Sequence, residues 1–196
     1  MRKIFVFTLF LGLVVAQIQH SGTPKFLNNQ FDRIDFISVD TDLVIDREFD
    51  PMVFQFGTEY DVDIKILDES QIFIEDDLYT FVVGISSPDA YGLGFNFSDF
   101  HLTPNAELYF YDQERTSYVG ALTHLNNKPS QEITTSIIKG SKVLIELTVP
   151  IEEIDDIRLH LDTVIHDYTD IMNYYNTLGT DREDCNINVN CPQGDD

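Results

Sequence analysis

The stretch that decides the fold is Tyr91–Pro150, YGLGFNFSDFHLTPNAELYFYDQERTSYVGALTHLNNKPSQEITTSIIKGSKVLIELTVP. Short runs in it alternate apolar and polar residues. Leu93, Phe95 and Phe97 recur at period two, as do Leu108 and Phe110 against Tyr109 and Tyr111, and then Val143, Ile145, Leu147 and Val149. Period two is the signature of strands with one buried face. Turn chemistry separates them: Thr103-Pro104-Asn105, Asn126-Asn127-Lys128-Pro129 and Lys139-Gly140-Ser141. Several short strands at this spacing predict an all-β antiparallel sandwich, jelly-roll-like or immunoglobulin-like in winding.

Working outward, Tyr60, Val62, Ile64 and Ile66 alternate with Asp61, Asp63 and Lys65, the cleanest half-buried strand in the chain. Ile72 to Ile74 start another strand, Asp76-Asp77 turn the chain, and Phe81-Val82-Val83 reads as central. Ile157–Tyr168 is the last strand, with Leu159, Leu161 and Thr163 against His160, Asp162 and Val164. Nine or ten strands are expected and no helix; Ile151–Ile157 can make one turn at most. The domain boundaries follow as residues 1–16, 17–52 (an extension, partly strand), 53–170 (the sandwich), 171–184 (a polar linker) and 185–196.

Residues 1–16, MRKIFVFTLFLGLVVA, have a positive start at Arg2 and Lys3, an apolar run from Ile4 to Val15, and small residues at the end. That pattern predicts a signal peptide cut between Ala16 and Gln17, hence a secreted protein, extracellular or periplasmic, with no membrane attachment after cleavage. Gln17–Asn29 reads as polar and flexible.

The chain has 196 residues and 43% hydrophobic content, enough for one cored domain. Its 12 basic and 34 acidic residues give a formal charge of −22. Removal of the leader takes away Arg2 and Lys3 and no acidic residue, so the charge becomes −24. So acidic a chain repels phosphate backbones and argues against a nucleic-acid partner.

Catalytic patterns are lacking. There is no G-x-S-x-G or G-D-S-G-G around a serine and no Gly-rich phosphate loop. His20, His101, His124, His160 and His166 have no metal-ligand partner at a helical spacing. His160 and His166, six apart on one strand, are expected on the same face but about 20 Å apart, too far for one metal ion. Asp40, Asp42, Asp46 and Asp50 alternate, yet no Gly interrupts them as an EF-hand loop requires. Asn96-Phe97-Ser98 matches the glycosylation acceptor, a pattern common by chance. No catalytic residue, metal site or cofactor is assigned.

Two parts of the chain together resemble a known arrangement. GLGFNFSDFHLTPNAELYFYDQERTSYVGALTHLNNK, then IIKGSKVLIELTVP and TVIHDY, resemble the pro-region of bacterial secreted trypsin-like serine endopeptidases of the lysyl endopeptidase type. The counterparts of that family's motifs are Leu108–Asp112, Gly120–Asn127, Gly140–Pro150 and Val164–Tyr168. Residues 185–194, CNINVNCPQG, resemble the start of the mature protease in the same family. The likeness covers about residues 53–194. It implies a non-catalytic, monomeric folding assistant and inhibitor whose partner is the cognate protease domain in cis. The family's catalytic His, Asp and Ser have no counterpart here, so this chain is expected to be no enzyme and to be truncated before the triad. The resemblance further implies that Cys185 and Cys191 pair with cysteines of the protease domain. A processing cut is expected between about Asn176 and Asp184, with Arg182-Glu183 as the candidate bond. The alternative is a stand-alone secreted sandwich that binds carbohydrate or calcium.

Overall fold

The computed structural model describes residues 22–27, 34–41 and 55–178. The expected leader with Ala16 and Gln17, the Arg182-Glu183 bond and both cysteines lie outside them.

Among the described residues eleven strands are formed: β1 (Phe36–Ser38), β2 (Gly57–Lys65), β3 (Gln71–Glu75), β4 (Leu78–Ser86), β5 (Gly92–His101), β6 (Glu107–Asp112), β7 (Tyr118–Leu122), β8 (Ile133–Thr134), β9 (Ile138–Lys139), β10 (Lys142–Pro150) and β11 (Arg158–Asp167). They build two facing sheets. In sheet A the order is β4-β10-β6-β7, with β1 and β3 both paired to β4. In sheet B it is β2-β11-β5, with β8 and β9 both paired to β5. Every pairing is antiparallel except β1 with β4. The long strands alternate between sheets so that β4 lies by β10 and β2 by β11, with β6 on the far side of β10 and β5 on the far side of β11. This is jelly-roll winding, and it decides between the two topologies that the alternating pattern allows.

The alternation places the core as expected. Leu93, Phe95 and Phe97 of β5 meet Leu108 and Phe110 of β6 and Val143, Ile145, Leu147 and Val149 of β10, all at most 1% exposed. Phe95 stacks on Phe110 across the two sheets at 5.7 Å between ring centroids. Each such side chain contributes about 1.5–3 kcal/mol by leaving water.

Three expectations are corrected. The first is the expectation of no helix. The first residues of the expected linker form a helix, α2 (Ile171–Leu178). Its start is capped from the preceding strand, because the buried Asp167 carboxylate accepts the N–H of Ile171 at 2.9 Å. A four-residue helix, α1 (Ile66–Glu69), also follows β2, and Ile151–Asp156 form a longer 3₁₀ segment than the single turn expected.

The second correction is the phase of β11. The strand slips register between Leu161 and Thr163 against both neighbours. A bulge there adds a residue and reverses the side-chain alternation beyond it. Leu161 and Val164, three apart, are therefore both in the core. His160 and His166 consequently do not share a face. The first meets Asp63 at 33% side-chain exposure, whereas the second is 8% exposed against Tyr60.

The third is Gly22–Leu27, expected to be flexible. It lies on the outer face of sheet A, where Tyr109, Tyr111, Val82, Ala121 and Leu144 form a second cluster with Phe26, Ile34, Phe36 and Phe73 packed on it. Gly84 of β4 makes room for Phe36 there. A Cβ at Gly84 would come within 2.5–2.8 Å of the Phe36 ring.

Candidate functional site: a polar cleft at the bulge of β11

Residues in a row across β8, β5 and β11 define the outer face of sheet B. Asn96 is opposite Thr134 on one side and Thr163 on the other, while Phe97 is opposite Ile133 and Leu161. Asp162 is the extra residue between those two rungs, and the bulge turns it toward the same cleft as Asn96. The cleft has a volume of about 450 Å³ and is lined by the polar side chains of Asn96, Ser98, Lys128, Glu132, Thr134 and Asp162.

Two atoms mark it chemically. Asn96 Oδ1 and Asp162 Oδ1 are buried with no hydrogen-bond partner among the described residues. Asp162 uses its other oxygen to accept from Thr163 Oγ1 at 3.2 Å. A buried acceptor without a donor costs about 1–3 kcal/mol. The complement of such a cleft is a donor or a hard cation, and the oxygens of Asn96, Asp162, Glu132 and Thr134 are of the type that bind calcium. Lys128 on the rim opposes a bare cation and instead offers a donor to a ligand hydroxyl. Among the described residues no group of three or more His, Cys, Asp or Glu is placed to hold a metal ion. Asn96, the glycosylation-pattern residue, sits mid-strand and half-buried, with its amide in this cleft.

A second constellation has the composition of a nucleophile site. Ser87 Oγ lies 2.7 Å from His166 Nδ1, with Asp167 next in the chain. Burial pushes the His166 imidazole below its ordinary value, against the opposing pull of Asp167 and Asp89. However, Ser87 is 0% exposed. Asp167 is also committed elsewhere, accepting from Thr169 N–H at 2.8 Å, from the Thr169 hydroxyl at 3.1 Å and from Ile171 N–H. A nucleophile needs an open approach for substrate. This serine has none, so the pair is a satisfied core contact joining the β4–β5 turn to β11.

The other histidines stay apart. His160 donates to Asp63 Oδ1 at 2.7 Å on the outer face of sheet B. His101 ends β5, and the exposed His124 opens a 3₁₀ turn. Of the alternating aspartates only Asp40 lies within the described residues, and it is exposed. Sequence reasoning missed Asp162, because the bulge that aims it has no residue signature. It also missed Glu146, although a single acid in VLIELTV was a visible signal. No protein-family model matches the chain.

Proposed function

We propose that this chain is the non-catalytic pro-region of a secreted trypsin-like serine endopeptidase of the lysyl endopeptidase type, and that it acts by binding the protease domain. The observation that carries this reading is where the resembling segments fall. Leu108–Asp112, Gly120–Asn127 and Gly140–Pro150 are separated in sequence. They correspond to β6, to β7 with its following turn, and to β10 with the turn before it, and these strands run side by side in the order β10-β6-β7. Val164–Tyr168 closes β11. Three of the four segments thus lie on neighbouring strands of sheet A and the fourth on sheet B. A pro-region of this kind binds native-like protease in preference to its unfolded forms and so stabilises it. The formal charge of −22 would favour a partner with a basic face.

The test begins with the coding sequence beyond the codon for Asp196. Under this reading it continues in frame into a trypsin-like domain, and the purified chain then inhibits that domain and raises its refolding yield. If the frame encodes no protease, or the chain leaves both activity and refolding unchanged, the reading fails.

A second reading is favoured by the two unpaired oxygens in the cleft: a stand-alone secreted module that binds a small polar ligand. Calcium titration and oligosaccharide binding, each compared with Asp162→Ala, test it. Binding that survives the substitution would place the ligand elsewhere.

A further inference from the structure

Glu146 is the most unusual side chain in the sandwich. It lies at the centre of β10, in the outer-face row of sheet A, and is 0% exposed. Its partners are the Gly22–Leu27 segment and a tyrosine. Oε1 accepts the N–H of Lys25 at 2.6 Å; Oε2 accepts the N–H of Phe26 at 3.2 Å and the hydroxyl of Tyr111 at 3.0 Å. Covering a sheet face with apolar side chains needs no carboxylate, and burying one is costly unless it is fully hydrogen-bonded. Paired with two consecutive main-chain N–H groups, it is a receptor for backbone.

The rest of the contact also has the form of a ligand in a groove. Side chains of the sheet make the ties. Tyr118 donates its hydroxyl to the carbonyl of Gly22 at 2.9 Å. Phe26 packs on Phe73 at 4.8 Å between centroids, and Pro24 is buried. Gly22 lies so close over Tyr109 that any Cβ there would overlap the phenol oxygen. Tyr109 and Tyr111 form the floor at 1% and 0% exposure. The groove thus reads a small residue, a proline and an aromatic two positions after it, with main-chain N–H groups offered at the last two positions.

We propose that the outer face of sheet A is a peptide-binding groove. In this chain it holds Gly22–Leu27, which turns between Pro24 and Leu27, and it takes a segment of the same Pro-x-Phe chemistry in trans when Gly22–Leu27 is displaced. This inference does not rest on the pro-region reading.

The test uses the full chain and a fluorescent peptide spanning residues 20–29, HSGTPKFLNN, followed by anisotropy. In the wild type the tethered segment competes at an effective concentration in the millimolar range, so the peptide binds poorly. Phe26→Asp releases the segment and is expected to tighten peptide binding at least tenfold. Adding Glu146→Gln should reverse that gain, and a scrambled peptide should not bind. Lys25→Pro, which deletes one of the two N–H donors, makes the same comparison if Phe26→Asp does not fold. The proposal is overturned if the released, folded variant binds no better than wild type. It is equally overturned if Glu146→Gln has no effect on that binding, or if the scrambled peptide binds as well.

Discussion

If the polar cleft is short of a donor, removing an unpaired acceptor should make the protein more stable. Asn96→Val is the sharpest perturbation. It deletes Oδ1, which is buried without a partner among the described residues, and puts a β-branched residue at a mid-strand position of β5. The orphaned acceptor costs about 1–3 kcal/mol, and valine suits a strand better than asparagine. Part of this gain is offset because the amide N–H₂ loses its solvent or protein contacts. A net gain of about 1 kcal/mol is expected, which for a domain of this size raises Tm by about 3–5 °C. Thr148→Val supplies the calibration. Its hydroxyl is also buried without a partner among the described residues, it lies in β10 away from the cleft, and valine keeps its shape. Thermal unfolding followed by far-UV circular dichroism reads both. A rise for Thr148→Val with a fall for Asn96→Val would refute the reasoning. It would mean that the Asn96 amide is paired in solution, as by donating to Asp162, and that the cleft lacks nothing.

Three further outcomes are expected. Ser87→Ala leaves the buried Nδ1 of His166 without its partner at 2.7 Å and should cost about 1–3 kcal/mol in urea unfolding; an unchanged midpoint would show that the contact adds nothing net. Gly84→Ala drives a Cβ into the Phe36 ring and should cost about 1–3 kcal/mol. The double variant Gly84→Ala/Phe36→Ala should then lose less than the sum of the two single losses, and strict additivity would separate the two residues. Finally, burial raises the Glu146 carboxyl above its ordinary value of 4.5, against the opposing hydrogen bonds of Lys25, Tyr111 and Phe26. The folded protein therefore holds that proton more tightly than the unfolded chain. The stability this contributes is complete below the ordinary value and is lost as pH rises through the raised one. The stability of wild type relative to Glu146→Gln should decline with rising pH from about 4.5 and then level off; a difference independent of pH would contradict the shift.

Which parts of this structure the sequence disclosed depends on the range of the interaction that determines them. Alternation is local, so β5, β6 and β10 and their inward residues could be placed from Leu93–Phe97, Leu108–Phe110 and Val143–Val149 alone. Sheet membership is not local. Leu147 pairs with Phe81 and with Leu108, and nothing in the period of any of these strands says so. Helix α2 escaped notice because its cap is not in the polar stretch that follows β11 but on Asp167, inside the strand before it. The bulge at Asp162 escaped because one inserted residue leaves LDTVIH looking like ordinary alternation while reversing the face of everything after it. Both features of the candidate sites, the cleft and the buried carboxylate, arise at such breaks between local pattern and long-range packing. Glu146 makes the point most directly. An acid in the middle of an apolar strand reads as a solvent-facing position, and by alternation it is one. Its burial comes from Lys25 and Phe26, 121 and 120 positions earlier, laid across it. A lone charge in an otherwise apolar strand therefore poses a choice between water and a covering segment. In this chain the covering segment is the polar-looking stretch near the N-terminus, where alternation gave no reason to look.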